Sequence, residues 1–143
     1  MHRFKVGKSR NNQLMHYSVG ALIKEKDKYL LIDRKKPPLG FAGIAGHIDQ
    51  GENAIEALKR EVREESGLKI KNCKLLFKEG LNWNWCSKGA KTHYWYLFEC
   101  EAEGKPRLDK SEAKSIQWYT RDEIKKLKLE PVWRYWFKKL KII

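Results

Sequence analysis

The sequence predicts one α/β domain in which a mixed β-sheet carries helices on both sides. Three observations lead there. Apolar, β-prone runs of strand length recur along the chain, the first two joined by a charged turn. A helix with both ends marked interrupts them. Two more capped helical segments follow the last strand run. At 143 residues the chain suits a single domain over 1–143, and such a domain buries roughly two-thirds of the surface its unfolded chain exposes.

Residues 1–13 are polar and read as a loose arm or a short edge strand. His16 to Ile23 and Tyr29 to Asp33, separated by KEKDK, read as a hairpin. Lys35 to Gly40 is a loop, because Pro37 and Pro38 exclude regular structure. Phe41 to Ile48 is a short Gly-punctuated strand leading into a turn. Asn53 and Glu56 have the spacing of a capping box, so a helix starts there. Ile55, Leu58 and Val62 give it an apolar stripe, and Gly67 followed by Leu68 is a left-handed stop. The helix therefore spans about 53 to 66. Strands are expected at Ile70 to Lys78, Thr92 to Ala102 and Ser115 to Tyr119. Thr120 and Glu123 cap a short helix, and Pro131 opens a last amphipathic one whose Trp133, Trp136, Phe137 and Leu140 face the core.

Lysine and arginine number 31 against 18 acidic residues, a formal charge of +13. That balance suits polyanionic partners or, equally, a lysine-rich solubilising surface. The basic residues are spread out, and no basic block is interleaved with aromatics as in a dedicated RNA-binding segment. Cys73, Cys86 and Cys100 lack metal-like spacing and read as free thiols in a reducing cytosol. The basic N-terminus has no apolar run behind it, and no stretch approaches the ~20 apolar residues of a membrane span. The expectation is a cytoplasmic protein, monomer or homodimer, without a membrane partner.

The marked helix carries Glu61, Glu64 and Glu65 at i, i+3 and i+4, so their carboxylates project together. Like charges so placed cost a few tenths of a kcal/mol unless a hard cation neutralises them. Arg60 beside them can brace a carboxylate through its planar fork. The wider spacing is specific. Gly46 is followed by five residues and Glu52, then by seven residues and Arg60-Glu61-Val62-Arg63-Glu64-Glu65-Ser66-Gly67-Leu68.

In every constrained position this stretch resembles the Nudix box, and the chain is identified by it as a member of the MutT-like Nudix hydrolases. The resemblance implies an α/β/α sandwich around a mixed sheet with a loop–helix–loop catalytic motif. It implies that Glu61, Glu64 and Glu65, with the Ala45 carbonyl, bind Mg²⁺ or Mn²⁺, while Arg60 orients the carboxylates and Glu52 supports them. Glu112, just before the last strand, occupies the place of a late acidic ligand or general base; an ordinary loop glutamate is the even alternative. Arg34, with Lys35 and Lys36 beside it, matches a phosphate-binding arginine at the end of the second strand. The usual Phe-Pro-Gly-Gly before the box is Ala42-Gly43-Ile44-Ala45-Gly46 here, and His47 reads as a loop histidine without a special role.

The segment from Leu81 to Tyr96 is rich in aromatics. Trp83 and Trp85 are candidates for stacking on a base, worth typically ~1–3 kcal/mol, with plain packing as the favoured alternative, and Asn82 and Asn84 for contacting a base edge. The expected activity is metal-dependent hydrolysis of a nucleoside triphosphate, with oxidised purine nucleotides among the candidates, to monophosphate and pyrophosphate. An RNA 5′-end or dinucleoside polyphosphate hydrolase is the first alternative, making nucleic acid a less favoured partner than a small nucleotide. A non-catalytic nucleotide-binding module is the second.

Overall fold

A computed structural model of the chain describes residues 3–86 and 88–143. Met1 and His2 of the expected N-terminal arm, and Ser87 of the aromatic segment, lie outside the described residues. The elements in chain order are β1 (Val6–Lys8), β2 (Leu14–Glu25), β3 (Lys28–Arg34), β4 (Phe41–Ala42), β5 (Ile44–His47), α1 (Ala54–Ser66), β6 (Lys69–Leu81), β7 (Thr92–Glu103), β8 (Ala113–Thr120), α2 (Arg121–Ile124) and α3 (Pro131–Lys139). The strand path runs β4-β3-β2-β7-β6, with β1 and β5 also on β2 and β8 on β3. Strands β2 and β7 run parallel over nine residue pairs, and the remaining strand pairings are antiparallel, which makes the sheet mixed as expected.

Alternation along β2 explains why the sheet needs covering on both faces. Val19, Ala21 and Ile23 join a core with Leu58 and Val62 of α1, whereas Leu22 joins one with Ile124 of α2 and Trp133, Trp136 and Phe137 of α3. Helix α1 thus lies on one face and α2 and α3 on the other.

Helix α1 is bounded as its chemistry dictates. The Asn53 side chain accepts from the Glu56 amide and Glu56 reaches back to the Asn53 amide. Gly67, at φ 73°, closes the helix in the left-handed region. The buried stripe is Ala57, Leu58 and Val62. Ile55 is a correction: it is 36% exposed, because Ala57 and not Ile55 shares the core-facing side with Leu58.

The hairpin also needs correcting. Strands β2 and β3 pair only at Lys24↔Tyr29 and Glu25↔Lys28. Beyond that they diverge, β2 toward β5 and β7, β3 toward β4 and β8. A cleft lies where they part, lined among others by Ser18 of β2, Arg34 of β3, Ala45 of β5, Trp95 of β7 and Trp133 of α3. The N-terminal arm forms edge strand β1.

Candidate active site

Strand β5 and helix α1 bring the box residues together. Gly46 lies directly under Glu61, and a Cβ there would be driven into that carboxylate. Arg60 then ties loop to helix. Its Nε and Nη2 donate to the two Glu52 oxygens at 2.8 and 2.9 Å, Nη2 also to the His47 carbonyl at 2.9 Å, and Nη1 to Glu61 at 2.7 Å. Glu52 accepts in turn from the Asp49 amide at 2.9 Å. The planar guanidinium is suited to this because its donors diverge in a fixed fork.

The glutamates differ in setting. Burial pushes the Glu61 carboxyl up to about 7, against the pull of Arg60. Glu65 is raised well above the usual carboxylate range, first by burial and then by the Glu61 and Glu112 charges; Arg34 and the Ala45 amide offset this in part. One Glu65 oxygen is buried with no hydrogen-bond partner among the described residues. Glu64 is more open, its side chain 47% exposed, with Arg60 Nη1 at 3.5 Å. Oxygen donors crowded together, two of them held back from ionising, fit a hard divalent cation that would supply the missing charge.

The other expected site residues separate into those at the cleft and those engaged elsewhere. Arg34 lines the cleft, its Nε braced on the Pro38 carbonyl at 2.8 Å, and its charge is felt by both Glu65 and Glu130. Lys35 donates to the Lys110 carbonyl and is absent from the cleft lining. Lys36 pairs with Glu112 at 2.9 Å, so Glu112 has a surface cation as partner while its field reaches Glu65. Trp85 is 49% exposed on the cleft wall. Trp83 is 45% exposed and meets Tyr135 of α3 edge-on at 5.5 Å. Asn84 is a correction: it is buried, its side-chain oxygen accepts from Trp95 Nε1 at 2.8 Å, and it is committed to the loop instead of a base edge.

Sequence reasoning missed Glu130. It is 3% exposed, lines the cleft, and has one oxygen without a hydrogen-bond partner among the described residues. Burial raises it to about 7 against the pull of Arg34. The position before the helix-opening Pro131 was the available signal, but there a glutamate reads as an ordinary helix-start residue.

A model of the NUDIX domain matches residues 14–140. The chain belongs to the Nudix hydrolase family. Members of this family act on pyrophosphate bonds of nucleotide derivatives and generally use divalent metal ions. The NAD-capped RNA hydrolase NUDT12 of Homo sapiens is 30% identical over 96 residues, covering 66% of this chain and 20% of that protein. The human mitochondrial NAD(P)H pyrophosphatase NUDT13 is 26% identical over 125 residues, covering 80% of this chain and 33% of that protein. The chain therefore spans between a fifth and a third of the length of these curated relatives. Among solved structures, the mutator MutT protein from Bacillus halodurans shares the fold with a TM-score of 0.72 at 22% identity, covering 86% of this chain and 80% of that one. The NUDIX hydrolase from Nitrosomonas europaea has a TM-score of 0.66 at 25% identity, covering 82% and 78%. Among the described residues no helix is long and apolar enough to cross a membrane.

Proposed function

We propose that this Nudix hydrolase is a MutT-like nucleoside triphosphate pyrophosphatase that releases a nucleoside monophosphate and pyrophosphate. The observation that carries the reading is the placement of Arg34. It lines a cleft walled by Trp85, Trp95, Trp133 and Glu130, and its charge is felt by the Glu65 carboxylate. A phosphate chain bound along Arg34 has the carboxylates at one end and an aromatic wall at the other. Glu61, Glu64 and Glu65, with the Ala45 carbonyl, would hold Mg²⁺ or Mn²⁺, which supplies charge neutralisation to the phosphates and makes a nearby water more acidic. A glutamate of α1, with Glu112 as the alternative, accepts the proton of the attacking water. Arg34 holds the phosphates, and Arg60 keeps Glu61 in place through its bond to Oε1. Trp85 stacks on the base, while the buried Glu130 carboxyl, raised to about 7 by burial, offers a donor when protonated or an acceptor when ionised to its edge.

The test is a panel of ordinary and oxidised nucleoside triphosphates, with Mg²⁺ or Mn²⁺, analysed for products. Monophosphate and pyrophosphate are expected. Inertness toward all triphosphates, or release of inorganic phosphate alone, would overturn the reading.

A second reading is favoured by one specific observation: both curated relatives are named for nicotinamide dinucleotides, one of them at an RNA end. The +13 charge suits an RNA-borne substrate. NADH and NAD-capped RNA belong in the same panel, each at low and high salt. Preference for the capped RNA with a steep salt dependence would replace the first reading with this one.

A further inference from the structure

On the opposite face of β5 from Glu61, four side chains rich in nitrogen and sulfur converge. His16 of β2 and His93 of β7 are register partners across the parallel pair, and His47 of β5 pairs with Ser18, two residues along β2. The β6–β7 connection, residues 82–91, brings in Cys86. One ligand atom from each of the four lies within 4.8 Å of every other. His47 Nε2 is 3.3 Å from His93 Nε2, and Cys86 Sγ is 3.6 Å from His16 Nδ1.

We propose that His16, His47, Cys86 and His93 form a tetrahedral zinc site that fastens the tryptophan-bearing loop to the sheet. The spacing carries the argument. With zinc–nitrogen bonds of ~2.05 Å and zinc–sulfur bonds of ~2.3 Å, a tetrahedron has N···N edges of about 3.3 Å and N···S edges of about 3.6 Å. Those are the two edges found here. The donor set selects against magnesium, which takes oxygen, and toward zinc.

The surroundings prepare the ligands. The Asn84 carbonyl lies 2.7 Å from His93 Nδ1 and accepts its proton, leaving the Nε2 lone pair toward the cluster. Phe4 stacks on the His47 ring at 4.1 Å and meets His16 edge-on at 5.3 Å, roofing the group. Burial lowers all three imidazoles from their ordinary range, joined at His47 by the neighbouring histidines and opposed at His93 by the Asn84 carbonyl. On binding, the Cys86 thiol gives its proton to solvent, and the ion, one thiolate and three neutral imidazoles total a charge of +1. Four protein ligands close the coordination shell, which is the pattern of structural zinc. Trp85 precedes Cys86, so the ion would set where that side chain stands on the cleft wall. The cluster shares no ligand side chain with α1, and the two sites can fail independently.

The test uses tag-free protein, stripped of metal and then given zinc in the presence of excess Mg²⁺. One tightly held zinc per chain is expected by elemental analysis, and none in Cys86→Ser or His93→Gln. Glu64→Gln should keep its zinc. Cobalt in place of zinc should give strong visible bands of tetrahedral geometry and a thiolate charge-transfer band in the near ultraviolet, the latter lost in Cys86→Ser. Amide exchange in residues 82–91 should slow when zinc is added. Zinc below one half per chain, a weak octahedral cobalt spectrum, or full zinc content in folded Cys86→Ser would overturn the proposal. The cobalt spectrum of the unmutated protein decides even if a variant fails to fold.

Discussion

The two donor clusters stand back to back across β5, and they are opposites. On the α1 side, Glu61, Glu64 and Glu65 are hard oxygen donors carried by one helix, with an arginine already bonded among them. On the cleft side, His16, His47, Cys86 and His93 are softer donors from four separate segments. The first cluster is strained by its own charge and stays partly exposed, as a site must that exchanges an ion and admits phosphate. The second is roofed by Phe4 and closed by four side chains, as suits an ion that stays. His47 belongs to both: its ring enters the cleft cluster while its carbonyl accepts from Arg60. If both proposals hold, the difference between them is that between a catalytic and a structural metal position, reached from adjacent residues of one strand, Gly46 and His47.

The sharpest way to break that division is to remove the α1 carboxylates. Glu64→Gln and Glu65→Gln should each lower metal-dependent hydrolysis by about 10²-fold or more, measured as kcat at saturating metal, with zinc content unchanged. If hydrolysis stayed intact while zinc was lost, the roles of the two clusters would be exchanged.

Arg60 is next in size. Arg60→Ala leaves Glu52 and Glu61 without their bridging cation, and removing one partner of a largely buried ion pair costs about 3 kcal/mol. Urea denaturation should show that loss. Arg60→Lys should recover little of it, since an ammonium cannot reach Glu52, Glu61 and the His47 carbonyl together.

Glu130 extends the comparison to a buried acid that belongs to neither cluster. Its folded-state carboxyl is raised to about 7 from an ordinary 4.5, so the folded state holds the proton more tightly. The stability this gives is fully present below about pH 4.5 and is lost as pH rises through about 7. At ~1.4 kcal/mol per pH unit, the swing between pH 4.5 and 8.5 is about 3 kcal/mol at most. Glu130→Gln should flatten that slope and leave the protein relatively more stable at pH 8.5. An unchanged slope would mean that the acid is more solvated than its burial indicates.

How much of this was legible in the sequence follows from how each cluster is assembled. The α1 helix and its carboxylate cluster were readable because their parts are local: Asn53, Glu56 and Gly67 fix the helix, and three glutamates within five residues must share a face. Even there Ile55 misled, since helical spacing does not say which of two adjacent stripes meets the sheet. The histidine–cysteine cluster was unreadable. Cys86 has no partner at metal-like spacing, and His47 looked like a loop residue, because the cluster exists only once β2 lies parallel to β7 with His16 opposite His93. Asn84 failed for a related reason. An asparagine between two tryptophans reads as an exposed polar contact, but tertiary packing turned it inward to accept from Trp95.

The smallest effect discriminates the two tryptophans of that loop. Trp85 stands on the cleft wall, while Trp83 rests against Tyr135 of α3. Trp85→Ala should raise KM about tenfold, the equivalent of ~1.4 kcal/mol of lost stacking. Trp83→Ala should change KM by less than about twofold and act on stability instead. If the zinc clip sets the position of Trp85, a zinc-selective chelator added under excess Mg²⁺ should raise KM in the same direction in the unmutated protein. It should have no further effect in Trp85→Ala, because a ring that is absent cannot be misplaced. Additive effects of chelator and mutation would separate the ion from the base, and would leave the cleft cluster as a clip for the sheet alone.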